Sequence, residues 1–196
     1  ENIELVKNKT ISKCIVSTDD TKIAKIAAQC GAEVPFLRPV EAAKDSSKSI
    51  EYVIHALDEL KKDGEIFDAV MILQPTSPQR NSEKIKLVVT DFVNSASDSL
   101  ISCYQEDYIN ELVMYTKYKK KLLKPFNNNH NKGIRRQTHG SVFIRNGALY
   151  ITKVPFLLTT KKLVCDNPML FEMSKTHSIN IDNLEDLRLL RMILCR

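Results

Sequence analysis

Residues 69–80 read Ala69, Val70, Met71, Ile72, Leu73, Gln74, Pro75, Thr76, Ser77, Pro78, Gln79 and Arg80. An unbroken apolar run of strand length predicts a strand of a parallel sheet, covered on both faces. Its abrupt end at Gln74 and two prolines makes the following loop stiff, because each proline fixes one backbone torsion. Downstream, Ile85, Val88, Val89, Phe92 and Val93 recur at helical spacing, and residues 99–103 read as another strand. Upstream, Ile50, Val53, Ile54, Leu57 and Leu60 predict a helix over 47–60, ended at Gly64.

Further upstream, residues 13–17 predict a strand. It leads through Ser17, Thr18, Asp19 and Asp20 into a helix carrying Ile23, Ile26 and Ala27. Asp19 or Asp20 can cap that helix, Gly31 closes it, and 33–37 follows as an extended piece. Alternating strands and helices predict an α/β sheet with right-handed crossovers. Ligands of such sheets bind beyond the carboxyl ends of the strands, where the loops after Ser17 and Leu73 fall.

The rhythm breaks at about 105–142, where a lysine run and the polar tip at Asn127, Asn128, Asn129 and His130 predict an inserted arm. A strand at 148–151 rejoins the core, and 179–181 feeds a final helix over 184–194. A single domain over 1–196 with one inserted arm accounts for the whole pattern.

Bulk properties narrow the function classes. With 43% hydrophobic and 27% charged residues, the chain predicts a soluble globular protein, and it has no apolar run long enough to cross a bilayer. Its five cysteines form no CxxC pair and mostly lie among apolar neighbours, which fits reduced thiols in a cytoplasm. The net charge of +5 is scattered rather than interleaved with exposed aromatics, so nucleic acid is not an expected partner. No HExxH, Walker loop, GxSxG elbow or GxGxxG fingerprint occurs.

Four motifs carry the chemistry. The first is Val16, Ser17, Thr18, Asp19 and Asp20 followed by Phe36, Leu37, Arg38 and Pro39; the second is the stretch at 73–80. The third combines Arg135, Arg136 and Gln137 with Arg145, Asn146, Gly147, Ala148, Leu149 and Tyr150. The fourth is Ser178, Ile179, Asn180, Ile181 and Asp182. Guanidinium groups bind carboxylates in bidentate fashion, amides and hydroxyls bond sugars and ribose, and hard oxygen donors suit magnesium.

In this order, and over essentially the whole length, the motifs resemble the N-acylneuraminate cytidylyltransferases. The resemblance implies a mostly parallel, Rossmann-like nucleotidyltransferase sheet with an inserted dimerisation arm. It also implies CTP and an acidic nine-carbon sugar as substrates, with Mg2+ as cofactor. Enzymes for an eight-carbon acid are matched less closely at Arg136, Asn146 and Tyr150. On this basis Arg38, Ser47, Ser49 and Gln74 are expected at the nucleotide, and Gln74, Arg136, Asn146 and Tyr150 at the sugar. Asp182 and Asn180 are expected at the metal, with Asp182 and Arg136 as the catalytic pair.

Two departures stand out. Gln79 replaces the family's leucine, and Asn180 stands where the family has an aspartate, contributing an amide oxygen without negative charge. Asp182 also has a second reading, because residues 182–185 resemble a capping box that opens the last helix. The family's Gly-, Arg- and Lys-rich phosphate loop precedes a helix whose tail matches Asn2 through Asn8. Neither that loop nor its strand occurs in these residues, so an N-terminally incomplete chain is expected. A partner or nucleotide-binding relative with weak or no catalysis is the alternative to an active enzyme.

Overall fold

The computed structural model describes residues 2–44, 47–107, 109–132 and 140–194. Helices α1 (Asn2–Lys7), α2 (Thr21–Gln29) and α3 (Ser49–Lys62) precede strand β1 (Ala69–Leu73), helix α4 (Ser82–Val93) and strand β2 (Ser99–Glu106). A hairpin of β3 (Tyr115–Lys119) and β4 (Leu122–Pro125) follows. The chain then forms β5 (Val142–Lys153), α5 (Val154–Thr160), β6 (Met169–Glu172) and α6 (Leu184–Leu194).

The main sheet is four-stranded in the order β1-β5-β2-β6. Pairing of β5 with β1 and β2 is antiparallel, whereas β2 and β6 are parallel, so every strand except β5 points the same way. The single reversal has a simple origin: β5 returns directly from the arm instead of arriving by a crossover helix. One face of the sheet supplies Leu100, Leu149 and Ile151 to a buried cluster, closed by Leu5 of α1 and by Ile85, Val88 and Phe92 of α4. The helical spacing of those α4 residues is what turns one stripe toward the sheet. Each buried side chain of this size contributes roughly 1.5–3 kcal/mol of transfer free energy.

Two local expectations are corrected, and two further elements are found. Residues 13–17 do not form a strand of the sheet; they make one isolated parallel bridge, Ile15 with Glu33. Val16 donates to Glu33 O at 2.9 Å and Arg38 to Thr18 O at 2.8 Å, but Pro35 between them has no N–H to continue a ladder. The capping box of α6 sits one residue later than expected. Asn183 Oδ1 accepts from the Glu185 and Asp186 amides at 2.8 and 3.1 Å, while Asp186 Oδ2 takes the Asn183 amide at 3.0 Å. Neither α5 nor β6 was expected; α5 opens with a proline in its first turn and β6 is too short to show a period.

Candidate active site

The site grows from an irregularity in the β2/β5 ladder. Ile101 pairs with Tyr150 and Cys103 with Arg145, so between these pairs Ser102 stands alone against residues 146–149. Extra residues on one strand make a bulge, which bends the strand and frees backbone groups that need other partners. Gly147 takes φ +76° there, a conformation glycine adopts without the steric cost of a side chain.

Side chains repair the gap. Asn146 Oδ1 accepts the Ser102 hydroxyl at 2.6 Å and the Ala148 amide at 3.1 Å. Asn146 Nδ2 donates to Ser178 Oγ at 2.9 Å and to Met173 Sδ at 3.3 Å. An asparagine amide has two acceptor sites and two donors, so its capacity is fully engaged. Gln74 leaves the end of β1 and lies against the same bulge, since a Cβ on Gly147 would stand 3.0 Å from Gln74 Oε1.

The proline-bounded loop after Gln74 is held by Arg80, whose guanidinium donates to the carbonyls of Gln74 and Ser77. Across from it runs the segment ending in Asp182. Ile181 donates to Thr76 O at 2.8 Å, and the Ser77 hydroxyl reaches Asn180 Oδ1 at 3.2 Å. Asn180 Nδ2 then donates to Asp182 Oδ1 at 2.7 Å, a bond strengthened by the carboxylate charge. Because Asn183 and Asp186 cap α6 between them, the Asp182 side chain is released from capping and stays exposed.

Gln74, Asn146, Asn180 and Asp182 therefore converge at one end of the sheet. Tyr150 lies further along β5, opposite Ile72 and Ile101, with the Arg145 guanidinium 5.9 Å from its ring centroid. Arg38 belongs to a separate cluster. Its guanidinium donates to Ser17 Oγ at 3.2 Å and to the Ser17 carbonyl, and it stacks 4.5 Å above the Tyr52 ring of α3. Ser47 donates to Glu41 O at 2.8 Å, and Ser49 is the first residue of α3. No hydrogen bond, ion pair or ring contact among the described residues joins these three to the Gln74 group. Arg136 lies outside the described residues, as do Arg135 and Gln137.

Residues that sequence reasoning passed over are Ser102, Ser178 as a ligand of Asn146, and Arg80 as the loop's anchor. Ser102 gave no signal, because a serine inside a strand reads as an ordinary exposed position. Arg80 was visible as the last residue of the loop motif, without a role attached. Among the described residues, no group of three or more His, Cys, Asp or Glu side chains is arranged to hold a metal ion by itself.

The fold, with these side chains gathered at its strand ends, is of the nucleotidyltransferase type. The fold matches the solved structure of CMP:2-keto-3-deoxy-manno-octonic acid synthetase complexed with CTP, with a TM-score of 0.64 and 12% identity over 93% of this chain and 80% of that one. The family model described as cytidylyltransferase matches residues 3–194, and the chain belongs to that family.

Among curated relatives, the CMP-N,N'-diacetyllegionaminic acid synthase of Legionella pneumophila is 39% identical over 87 residues, 44% of this chain and 38% of that protein. The pseudaminic acid cytidylyltransferase of Campylobacter jejuni is 24% identical over 98% of this chain and 82% of its own length. The N-acylneuraminate cytidylyltransferase of Escherichia coli is 30% identical over 94% of this chain, a match that spans 42% of that larger protein. The nucleotidyltransferase class expected from the motifs is thereby established.

Proposed function

We propose that this cytidylyltransferase moves CMP from CTP to the anomeric hydroxyl of a nine-carbon acidic sugar of the sialic or legionaminic type. The sugar oxygen forms a bond to the α-phosphorus, the bond to the bridging oxygen breaks, the hydroxyl proton is lost and pyrophosphate leaves. The observation that carries this reading is the convergence of Gln74, the Asn146 bulge and the Asn180 to Asp182 segment at one end of the sheet. Relatives named for legionaminic, pseudaminic and N-acylneuraminic acids support the sugar class.

In this reading Arg38, held over the Tyr52 ring, with Ser47 just before α3 and Ser49 at its start, lines the cytidine side. Gln74 stands between nucleotide and sugar. Arg136 meets the sugar carboxylate, Tyr150 borders the sugar, and Asn146 belongs to the sugar side through its place in the bulge. Positioning plus charge neutralisation is the protein's contribution to such a displacement.

The donor chemistry at Asp182 and Asn180 fits Mg2+, which is commonly held by one or two carboxylates together with substrate phosphates and water. When bound, the ion would neutralise charge on the phosphate oxygens. The hairpin of β3 and β4 presents exposed apolar residues and supports a homodimer built through the arm. Free thiols at Cys14, Cys30, Cys103 and Cys165 support a reducing cytoplasm. No described helix is long and apolar enough to cross a membrane.

Asn180 favours a second reading, a nucleotide-binding relative or assembly partner with weak or no catalysis, since its amide leaves Asp182 as the lone carboxylate of the motif. A pyrophosphate-release assay on the protein with CTP, Mg2+ and a panel of nine-carbon acids separates the two. Sugar-dependent release is expected, and Asp182→Asn should lower it about 100-fold or more without changing the melting temperature. Release no higher than without sugar would reject the enzyme and favour the second reading.

A further inference from the structure

The gap in the β2/β5 ladder is filled by one buried hydroxyl whose role extends beyond repair of the sheet. Ser102 is fully buried, donates to Asn146 Oδ1 at 2.6 Å and accepts the Leu149 amide at 2.8 Å. The Ala148 amide, which can only donate, fixes which end of the Asn146 amide faces inward, and the Ser102 hydroxyl, with Leu149 O also 3.1 Å away, braces that oxygen. With the oxygen turned toward Ser102 and Ala148, the nitrogen is directed at Ser178 Oγ, 2.9 Å away. Ser178 also donates to Ser174 O at 2.8 Å, and it begins the segment that runs through Asn180 to Asp182. Asn146 is followed by Gly147, on which Gln74 rests.

We propose that Ser102 is a positioning residue for the reaction: it braces the Asn146 amide, which ties the β5 bulge beside Gln74 to the segment carrying Asp182. Asn146 acts as the joint, since no hydrogen-bonding capacity remains on its side chain for a substrate. The three side chains form a relay, with Ser102 and Ser178 each bound to Asn146. The activity arm of the test rests on the proposed CMP transfer; the exchange arm does not.

Ser102→Ala removes the hydroxyl and leaves the Asn146 oxygen held by the Ala148 amide alone, and Ser178→Ala cuts the other side of the joint at a partly exposed position. Each variant should lower kcat about 10-fold while the KM values for CTP and sugar stay within about twofold. Because both act through one amide, the double variant should be no worse than the poorer single one. Ser102→Thr, which keeps the hydroxyl, should restore more of kcat than Ser102→Ala.

Independently of turnover, hydrogen exchange at the amides of 178–182 should quicken in both variants and stay unchanged at 115–125. A raised sugar KM at constant kcat would overturn the proposal and make Asn146 a direct sugar contact. Losses that multiply in the double variant, or unaltered exchange at 178–182, would also overturn it. If Ser102→Ala fails to fold, Ser178→Ala carries the decision alone. A wild-type protein without turnover would defeat the functional reading, while the exchange result would still judge the joint.

Discussion

The bulge end of the sheet and the β3–β4 hairpin solve opposite problems. At the bulge, side-chain polar groups are tied to one another before any substrate arrives: Ser102, Asn146 and Ser178 in one relay, Ser77, Asn180 and Asp182 in another. The hairpin instead leaves apolar side chains in water, with Tyr118, Leu123 and Phe126 each more than 60% exposed. An isolated two-stranded hairpin is marginal in water, so its order has to come from elsewhere. Preorganised polar groups favour chemistry, and unsatisfied apolar surface favours association. The contrast accords with the proposal that puts catalysis in the first region and assembly in the second.

The sharpest way to break this contrast is at Gly147. Gly147→Ala introduces a side chain at φ +76° and drives its Cβ to 3.0 Å from Gln74 Oε1. The backbone conformation should cost roughly 1–2 kcal/mol, read from denaturant unfolding. Displacement of Gln74 should lower kcat/KM at least 10-fold, well beyond the loss of stability. Retained activity would mean that Gln74 is not fixed by the bulge.

Next in size, a Leu123→Ser and Phe126→Ser pair on the hairpin should shift sedimentation from dimer toward monomer at micromolar concentration. The melting temperature of the dissociated chain should move by no more than a degree or two, because neither side chain enters the buried cluster. Unchanged sedimentation would remove the arm from assembly.

The smallest effect concerns the thiols. Burial raises the Cys103 thiol beside the bulge, with Arg145 opposing the shift only in part. Burial also raises Cys165, yet hydrogen bonds from Ser99, Ser97 and the backbone outweigh it and leave that thiol below its ordinary value. The Cys165 thiolate therefore appears at lower pH, and alkylation near neutral pH should label Cys165 several-fold faster than Cys103 by mass spectrometry. Equal rates would show that the bulge end opens more readily than its bonding implies.

Much of the scaffold was legible in the sequence. The apolar run of β1 and the helical stripes of α3, α4 and α6 come from side-chain spacing alone, and each element stands where that spacing puts it. The middle of β5 was legible too, but its full length was not, because Arg145, Asn146 and Gly147 interrupt the apolar pattern where the strand bulges. Pairing is invisible to periodicity, which is why residues 13–17 looked like a strand but made a single bridge.

Of the residues expected at the site from motif resemblance, the structure gathers Gln74, Asn146 and Asp182 at one end of the sheet. What their bonds do was not legible. The shift of the cap from Asp182 to Asn183 depends on a one-residue register at the helix start, and the role of Ser102 depends on a bulge that only strand pairing creates.

The reversal of β5 also bears on how the chain reaches its fold. β1 and β2 never pair with each other; both lean on β5, and β6 joins β2 later still. While a ribosome has released only the stretch before residue 142, none of the ladders among the described strands of the central sheet can exist. Leu100 and its apolar neighbours on β2 then wait uncovered on that side until β5 is synthesised. Contacts this distant in sequence form slowly and leave sticky intermediates exposed. Yield from cells should therefore depend on growth temperature and chaperone supply more strongly than the stability of the finished protein would suggest.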